Sequence, residues 1–189
     1  MKYDSMTNRF FRPGTAIAAG AATLLLALAV TARAEPGNDN RAPLLEGELA
    51  KLRVEEGNKV IAHGFAIGVQ TYRWDGTAWI FVAPTAVLYE DEGLHGEFAT
   101  HFAGPTWQTN SGSFVVAAAD KSFAPDPDSI PWVLLHATAT GGDGIFAGVT
   151  FVQRVNTVGG KAPADSGRAV GEVADVPYTA EYFFYRAQR

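Results

Sequence analysis

Cysteine is absent from the 189-residue chain, and methionine occurs only twice. Without a thiol the protein can form no disulfide bond, so packing alone must stabilise it even in an oxidising compartment. The same absence excludes a cysteine nucleophile and every metal site that is built on thiolates. No serine lies in a nucleophile-elbow motif or in a recognisable triad context. The residues therefore offer no recognisable catalytic motif.

Basic charge is also scarce. Residues 35–189 hold 11 of the 15 basic side chains but 19 of the 20 acidic ones, so their net charge is −8. Such a surface repels the phosphates of nucleic acids and of anionic lipids, which argues against both as partners. A small polar molecule or a glycan remains open as a ligand, and the composition does not determine the oligomeric state.

Long hydrophobic runs are missing except near the amino terminus. Three basic residues precede an uncharged stretch over residues 13–32, and Ala32-Arg33-Ala34 follows it. This order of charge, apolar core and small residues is typical of a secretory signal peptide. We predict a Sec-type signal peptide over residues 1–34, cleaved after Ala34, and a periplasmic or extracellular protein. An uncleaved membrane anchor is disfavoured because the apolar core falls short of the ~20 residues of a membrane span.

Little in the remaining chain predicts helix. Residues 35–50 combine proline, glycine, asparagine and aspartate with few apolar residues, which predicts a flexible leader, although Leu44 to Leu52 fits either a short helix or an edge strand. Over residues 51–189, apolar residues alternate with period two between glycine- and proline-containing turns. We count about nine or ten strands, connected too tightly for crossover helices. The predicted fold is all-β, a single-domain antiparallel β-sandwich or squat β-barrel.

Two apolar runs on either side of Gly141–Gly144 are typical of a β-hairpin. The second run, Ile145 to Val155, alternates with period two and predicts a strand. Residues 142–147 also fit the dinucleotide pattern Gly-x-Gly-x-x-Ala, but that motif requires a helix at this point. We therefore predict a hairpin and no cofactor.

Two further segments give predictions about individual strands. Over residues 61–70, small residues alternate with larger ones, so either another layer of structure approaches one face closely or the strand has a bulge or bend there. The strand that follows the Asp75-Gly76 turn is predicted to break at Pro84, because proline has no N–H to donate to a sheet.

Residues 94–102 alternate cleanly and predict a strand with an apolar and a polar face. The apolar face would hold Leu94, Phe98 and Phe102, and the outer face His95, Glu97 and His101. Two imidazoles and a carboxylate are a known metal ligand set. However, six residues of strand span about 20 Å at ~3.3 Å per residue, so one ion cannot bind both histidines. We predict no metal site.

Several motifs resemble a known family. They include Gly68-Val69-Gln70-x-Tyr72, His101-x-x-Gly104-Pro105-Thr106-Trp107, Ile130-Pro131-Trp132 and Gln153-Arg154-Val155-Asn156-Thr157-x-Gly159-Gly160. On these residues the chain resembles the secreted bacterial and fungal family catalogued as domain of unknown function 3455. The resemblance covers most of the chain after the leader. It implies a secreted single-domain protein without an assigned activity, and it supplies no catalytic residues.

Polar side chains embedded in apolar strands form the candidate site. Because a buried polar group is costly unless it is paired, they predict either an internal hydrogen-bond network or a small polar pocket. The residues assigned to the pocket are Gln70, His101, Trp107, Gln153 and Arg154, with Arg154 as an anchor for an anion or carboxylate. The leading hypothesis is a non-catalytic binding or structural protein of the cell envelope with a small polar or carbohydrate-like ligand. The alternative is a secreted hydrolase or lyase with His101 as general acid or base.

Overall fold

The computed structural model describes residues 41–188, so the signal peptide predicted over residues 1–34 lies outside the described residues. Within the described residues, helix is limited to one 3-10 helix, Gly47–Leu52. The strands are β1 Asn58–Trp74, β2 Trp79–Tyr89, β3 Glu97–Phe102, β4 Thr106–Thr109, β5 Phe114–Phe123, β6 Trp132–Gly141, β7 Val149–Gly159 and β8 Val173–Ala187.

The eight strands form one antiparallel sheet that closes into a barrel. Each strand pairs with the next along the chain, and β8 pairs with β1 over nearly the whole length of both. The prediction of an all-β fold is confirmed, with the barrel as the architecture and eight strands in place of nine or ten. Antiparallel neighbours need only short reversals, which the glycine-, asparagine- and aspartate-rich turns supply.

Strand β2 runs without interruption through Pro84, where the sequence predicted a break. Pro84 pairs with Gln70 of β1, whereas β2 pairs with β3 only from Ala86 to Tyr89. Among residues 41–188, the other edge of β2 therefore has no strand beside Pro84. A proline is tolerated at such an edge because its missing N–H breaks no ladder there.

A cleft separates β2 from β5 on one side of the barrel. Strand β3 has 6 residues and β4 has 4, so they bridge the two longer strands over only part of their length. Strand β4 pairs with β5 only over residues 114–116, at the start of β5. Within the described chain, the first half of β2 and the second half of β5 thus have no strand between them. This opening gives access to the interior.

Alternate residues of the strands fill two separate hydrophobic clusters. The inner cluster collects side chains from all eight strands, and Trp107, Tyr182 and Phe184 are among its largest members. The outer cluster packs Leu45 and Leu52 against side chains on the outside of β1, β6, β7 and β8. Residues 41–50 are the described part of the predicted leader, and Leu45 within them is buried.

Strands β6 and β7 form the hairpin that the glycine-rich segment predicts, with His136 opposite Phe151. The connection is longer than predicted, because residues 142–148 are turn and β7 begins at Val149 rather than at Ile145. Phe146 in this connection is completely buried and packs on the ring of Phe184, with ring centroids 4.4 Å apart. The connection therefore folds inward and fills the barrel near the start of β7.

The predicted faces of β3 are wrong at His101 and Phe102. His101 is 2% exposed, whereas Phe102 is 38% exposed. Leu94, also predicted to face inward, lies in the turn before β3 and is 40% exposed. On the inner face, Ala99 leaves space that aromatic side chains of other strands fill. Hydrophobicity ranks phenylalanine above histidine for burial, so alternation alone assigned the faces in reverse.

Candidate functional site

A cavity of about 200 Å3 lies inside the barrel at the cleft between β2 and β5. Its walls are mostly apolar, and the turn between β3 and β4 closes one side. The apolar lining includes Phe81, Val82, Pro84, Val133 and Leu135, and the polar lining consists of Gln70, His101, Trp107, Arg154 and Tyr182. A concave apolar space with a few convergent polar groups is the usual form of a small-molecule site.

Four of the five residues assigned to a pocket from the sequence line this cavity. Gln70, His101, Trp107 and Arg154 come from β1, β3, β4 and β7, and all four face the interior. The barrel thus brings together side chains that lie up to 84 positions apart in the chain.

Gln153 does not line the cavity. It is the neighbour of Arg154 in β7, and successive side chains of a strand point to opposite faces of the sheet. Its Nε2 donates to the carbonyl oxygen of Leu52 at 2.5 Å, and its Oε1 accepts a hydrogen bond from the hydroxyl of Tyr185. Gln153 therefore fastens the end of the 3-10 helix to the outside of the barrel.

The imidazole of His101 is held in one tautomer. Its Nδ1 lies 2.9 Å from the carbonyl oxygen of Thr106, which can only accept, so Nδ1 carries the proton and Nε2 keeps its lone pair. The pKa of His101 is lowered to about 3, mainly by burial, with an opposing effect of the Thr106 bond and a smaller lowering by the nearby Arg154 guanidinium. The ring is therefore neutral at physiological pH.

Two buried hydrogen-bond donors on the cavity wall have no partner. Among residues 41–188, neither the amide Nε2 of Gln70 nor the indole Nε1 of Trp107 has an acceptor in good hydrogen-bond geometry, although Gln70 interacts weakly with the Tyr178 hydroxyl and lowers its pKa. Gln70 is 3% exposed and Trp107 is 1% exposed, so bulk water does not replace the missing acceptors. Buried polar groups in folded proteins are nearly always paired, which makes two such donors in one cavity informative.

Of the residues that the structure describes, Arg154 alone brings a charged side chain to the wall of the cavity. Its Nε and Nη2 both donate to the carbonyl oxygen of Pro131, at 3.2 and 2.9 Å. Among the described residues no carboxylate forms an ion pair with it. The guanidinium thus makes one positively charged spot inside a protein whose net charge is negative.

Three tyrosines near Arg154 do not neutralise it. Burial raises the pKa values of Tyr72, Tyr178 and Tyr182, and the Arg154 guanidinium offsets only part of each rise. All three hydroxyls are therefore protonated at physiological pH. The cavity offers hydrogen-bond donors and one positive charge but no negative charge.

Two larger hollows on the surface differ from this cavity. One of about 360 Å3 includes Glu90 and Glu97 in its lining, and another of about 320 Å3 includes Glu92 and Glu181. Neither is lined by a buried donor that lacks a partner in the described chain. They therefore carry no comparable signal for a ligand.

The two histidines that matched a metal ligand set in the sequence have different environments. His95 is exposed and lies 3.1 Å from the carboxylate of Asp91, whereas His101 is buried in the barrel. No group of three metal-ligating side chains is found within residues 41–188.

Tyr182 is a cavity residue that the sequence analysis did not assign to the site. It lies 4 residues after Tyr178 in β8, so both share the inner face. The even spacing of Tyr178 and Tyr182 is the one sequence feature that indicates a shared face. Aromatic residues in strands are most often ordinary core, so the spacing alone does not assign Tyr182 to a site.

The comparisons with known proteins place the chain in a family without assigning an activity. No helix in the described part of the chain is long and apolar enough to cross a membrane. Comparison with curated proteins gives no match, and comparison with solved structures gives none. A family model described as protein of unknown function (DUF3455) matches residues 55–186 and confirms the resemblance seen in the motifs. Because this match spans well over half of the sequence, the chain belongs to that family.

Proposed function

We propose that this protein is an exported, non-catalytic binding protein whose barrel cavity holds a small polar molecule. The observation that carries the proposal is the pair of buried donors without partners in the described chain, Gln70 Nε2 and Trp107 Nε1. A buried unsatisfied donor destabilises a protein by about 1–3 kcal/mol. Both donor atoms are buried just behind the cavity surface, so a ligand reaches them when the two side chains turn towards it, and acceptor atoms placed there remove this penalty.

The shape of the cavity supports a small ligand. Sites for drug-sized molecules usually measure roughly 300–1,000 Å3, and this cavity measures about 200 Å3. The cleft between β2 and β5 provides an entrance, with Phe81 and Val82 half-exposed at its edge. A carbohydrate-like ligand would have to be correspondingly small.

Acid–base catalysis by His101 has less physical support than binding. A general acid or base works best when its pKa lies near the operating pH, whereas the pKa of His101 is about 3. Its Nδ1 proton is engaged by a backbone carbonyl rather than by a carboxylate that could stabilise an imidazolium ion. The ring is better suited to a fixed structural position on the cavity wall.

Export is supported by the sequence alone. The basic residues, the apolar core and the Ala32-Arg33-Ala34 site near the amino terminus together favour secretion through the Sec route. Fractionation of expressing cells, with amino-terminal sequencing of the mature protein, tests this part of the proposal. A cytoplasmic protein that retains residues 1–34 would contradict it.

Indole N–H signals in a 15N NMR spectrum test the binding function directly. The protein has 4 tryptophans, and the Trp107→Phe variant identifies the signal of Trp107. Trp79 serves as an internal control because its Nε1 already donates to the carbonyl oxygen of Asp165 at 2.8 Å. Titration with benzoate, benzamide or glucose should shift the Trp107 signal in a saturable way and leave the Trp79 signal in place. If none of these three probes moves the Trp107 signal, the binding proposal is overturned.

A further inference from the structure

We infer, resting on the proposed binding function, that the ligand of the cavity is a small monocarboxylate with an apolar body, about the size of benzoate. The inference combines three properties of the wall: its single positive charge, its unpartnered donors and its limited apolar volume.

The charge of the wall indicates an anion with one negative charge. Arg154 is the only charged residue that lines the cavity, and no carboxylate within residues 41–188 pairs with it. Arg154 is partly buried, so its guanidinium has lost part of its hydration and a ligand anion in the cavity stabilises it. A second negative charge would in turn lack a partner, which disfavours phosphate dianions and dicarboxylates.

The donors indicate a ligand group with several acceptor lone pairs. Gln70 Nε2 and Trp107 Nε1 each require an acceptor, and the Arg154 guanidinium is a donor at every physiological pH. An ionised carboxylate has two oxygens with about four lone-pair sites and no proton, so it can accept from several donors at once. A neutral amide offers only one acceptor oxygen to these donors, and its NH2 group can bond only to an acceptor such as Nε2 of His101.

The volume and the remaining lining indicate the body of the ligand. An apolar cavity of about 150 Å3 is known to hold a benzene molecule, and this cavity of about 200 Å3 leaves room for a carboxylate beside a ring. Val133 and Leu135 form an apolar wall opposite the half-exposed Phe81 and Val82 at the cleft. An aromatic or branched aliphatic group fits this lining, because a hydrated polyol would have to give up its water against apolar side chains.

Calorimetric titration with benzoate, benzamide and benzylamine at neutral pH tests the ligand class. These probes share a ring and differ in charge, being anionic, neutral and cationic. Benzoate should bind roughly tenfold or more tightly than benzamide, since hydrogen bonds to charged groups are stronger than neutral ones. Benzylamine should not bind detectably.

The Arg154→Met variant provides the second half of the test. It removes the charge and keeps an unbranched apolar side chain, so the preference for benzoate over benzamide should disappear. Arg73→Met is the matched control, because Arg73 is exposed on β1 outside the cavity, and it should leave both affinities unchanged. Should Arg154→Met fail to fold, the relative affinities of the wild-type protein for the three probes still test whether the ligand is a carboxylate.

The outcomes separate the ligand class from the binding function. If benzamide or glucose binds as tightly as benzoate, the carboxylate inference is overturned while the binding function stands. If benzoate binds best but Arg154→Met keeps the full preference, the assignment of Arg154 as the anion partner is overturned. If no probe binds, the binding function itself fails, and the inference fails with it.

Discussion

His101 and Trp107 stack face to face inside the barrel. They are directly opposite each other in the pairing of β3 with β4, and their rings are nearly parallel, at 5°, with centroids 4.2 Å apart. Tyr182 meets both rings edge-on, at centroid distances of 5.3 and 5.4 Å. This aromatic enclosure keeps water from His101, and burial is the main cause of its low pKa.

Because of His101, the free energy of unfolding of the barrel should decrease as the pH is lowered below about 6.5. The pKa of His101 is about 3 in the folded state and about 6.5 in an unfolded chain. Above the unfolded value both states are neutral, so the full stability is present. As the pH decreases from about 6.5 towards 3, only the unfolded chain binds the proton, which removes up to ~1.4 kcal/mol of stability per pH unit.

Urea unfolding of the wild type and of His101→Gln measures this effect. Between about pH 7 and pH 5 the wild type should lose about 2 kcal/mol more of its free energy of unfolding than the variant. His95→Gln is the control, since His95 is exposed and its replacement should leave the wild-type pH dependence intact. Equal losses in the wild type and in His101→Gln would show that His101 does not stay neutral in the folded protein.

Gln70 and Gln153 are both buried glutamines, and their replacement by methionine should have opposite effects on stability. Gln70 Nε2 has no partner in the described chain, so Gln70→Met removes a destabilising group and should leave the free energy of unfolding equal or raise it by up to ~1 kcal/mol. Gln153 has partners on both ends of its amide, so Gln153→Met should lower it by about 1–3 kcal/mol.

The same pair separates stability from binding. Gln70→Met should weaken the binding of benzoate because the ligand loses a donor, whereas Gln153→Met should bind it as the wild type does. Urea denaturation gives the stabilities and calorimetric titration gives the affinities. A destabilised Gln70→Met protein would mean that the amide of Gln70 is already satisfied without a ligand.

Alternation in the sequence was sufficient to predict the all-β class and the β6–β7 hairpin, because period two follows directly from the strand backbone, but it did not give the number of strands or their ends. It also indicates which neighbours in one strand share a face. Gln153 and Arg154 are consecutive, so a single cavity cannot receive both side chains, and the interior receives Arg154. The choice between the two faces depends on the 3-10 helix, whose Leu52 covers Gln153.

The cavity itself could not be predicted from the sequence, since it depends on contacts between distant strands. His101 is buried because Trp107 and Tyr182 cover it, and neither contact has a local signature. The opening exists because β3 and β4 are shorter than β2 and β5, and strand ends are set by tertiary pairing as much as by propensity. The polar residues within apolar strands indicated a site, whereas the shape of the cavity is seen only in the assembled barrel.

Gly68 is predicted to be intolerant of a side chain. A Cβ at this position would lie 2.1 Å from the carbonyl oxygen of Thr85 and 2.5 Å from the Cα of Ala86, so the backbone of β2 would have to move. Gly68→Ala should therefore lower the free energy of unfolding by about 1–3 kcal/mol or more. The close neighbour is the paired strand β2 of the same sheet, whereas the small residues of β1 led us to expect another layer of structure, a bulge or a bend there.

Gly64→Ala is the matched control for Gly68→Ala. Gly64 is in the same strand, and its added Cβ would meet the tip of the Phe98 ring at 2.9 Å, a side chain that can rotate away. Its cost should stay below about 1 kcal/mol. Urea unfolding measures the free energy of unfolding of both variants. If Gly68→Ala lowers it as little as Gly64→Ala does, then β1 and β2 can move apart at Gly68 at little cost.

Phe146 should stabilise the barrel although it lies in a connection rather than in a strand. It is fully buried, and its ring contacts those of Phe98 and Phe184, at centroid distances of 6.4 and 4.4 Å. Phe146→Ala should lower the free energy of unfolding by about 3–5 kcal/mol, the usual range for emptying a buried phenylalanine site. Ile145→Ala, at a neighbouring position that is 42% exposed, should cost much less.

The NMR signal of the Trp107 indole tests whether Phe146→Ala also affects the binding site. Phe146 does not line the cavity, so a folded Phe146→Ala protein should show the same benzoate-induced shift of the Trp107 signal as the wild type. A variant that keeps its stability would mean that the connection is not anchored by Phe146. One that loses the Trp107 response while still folded would mean that the core around Phe146 and the cavity are mechanically coupled, because protein interiors are close-packed and transmit strain.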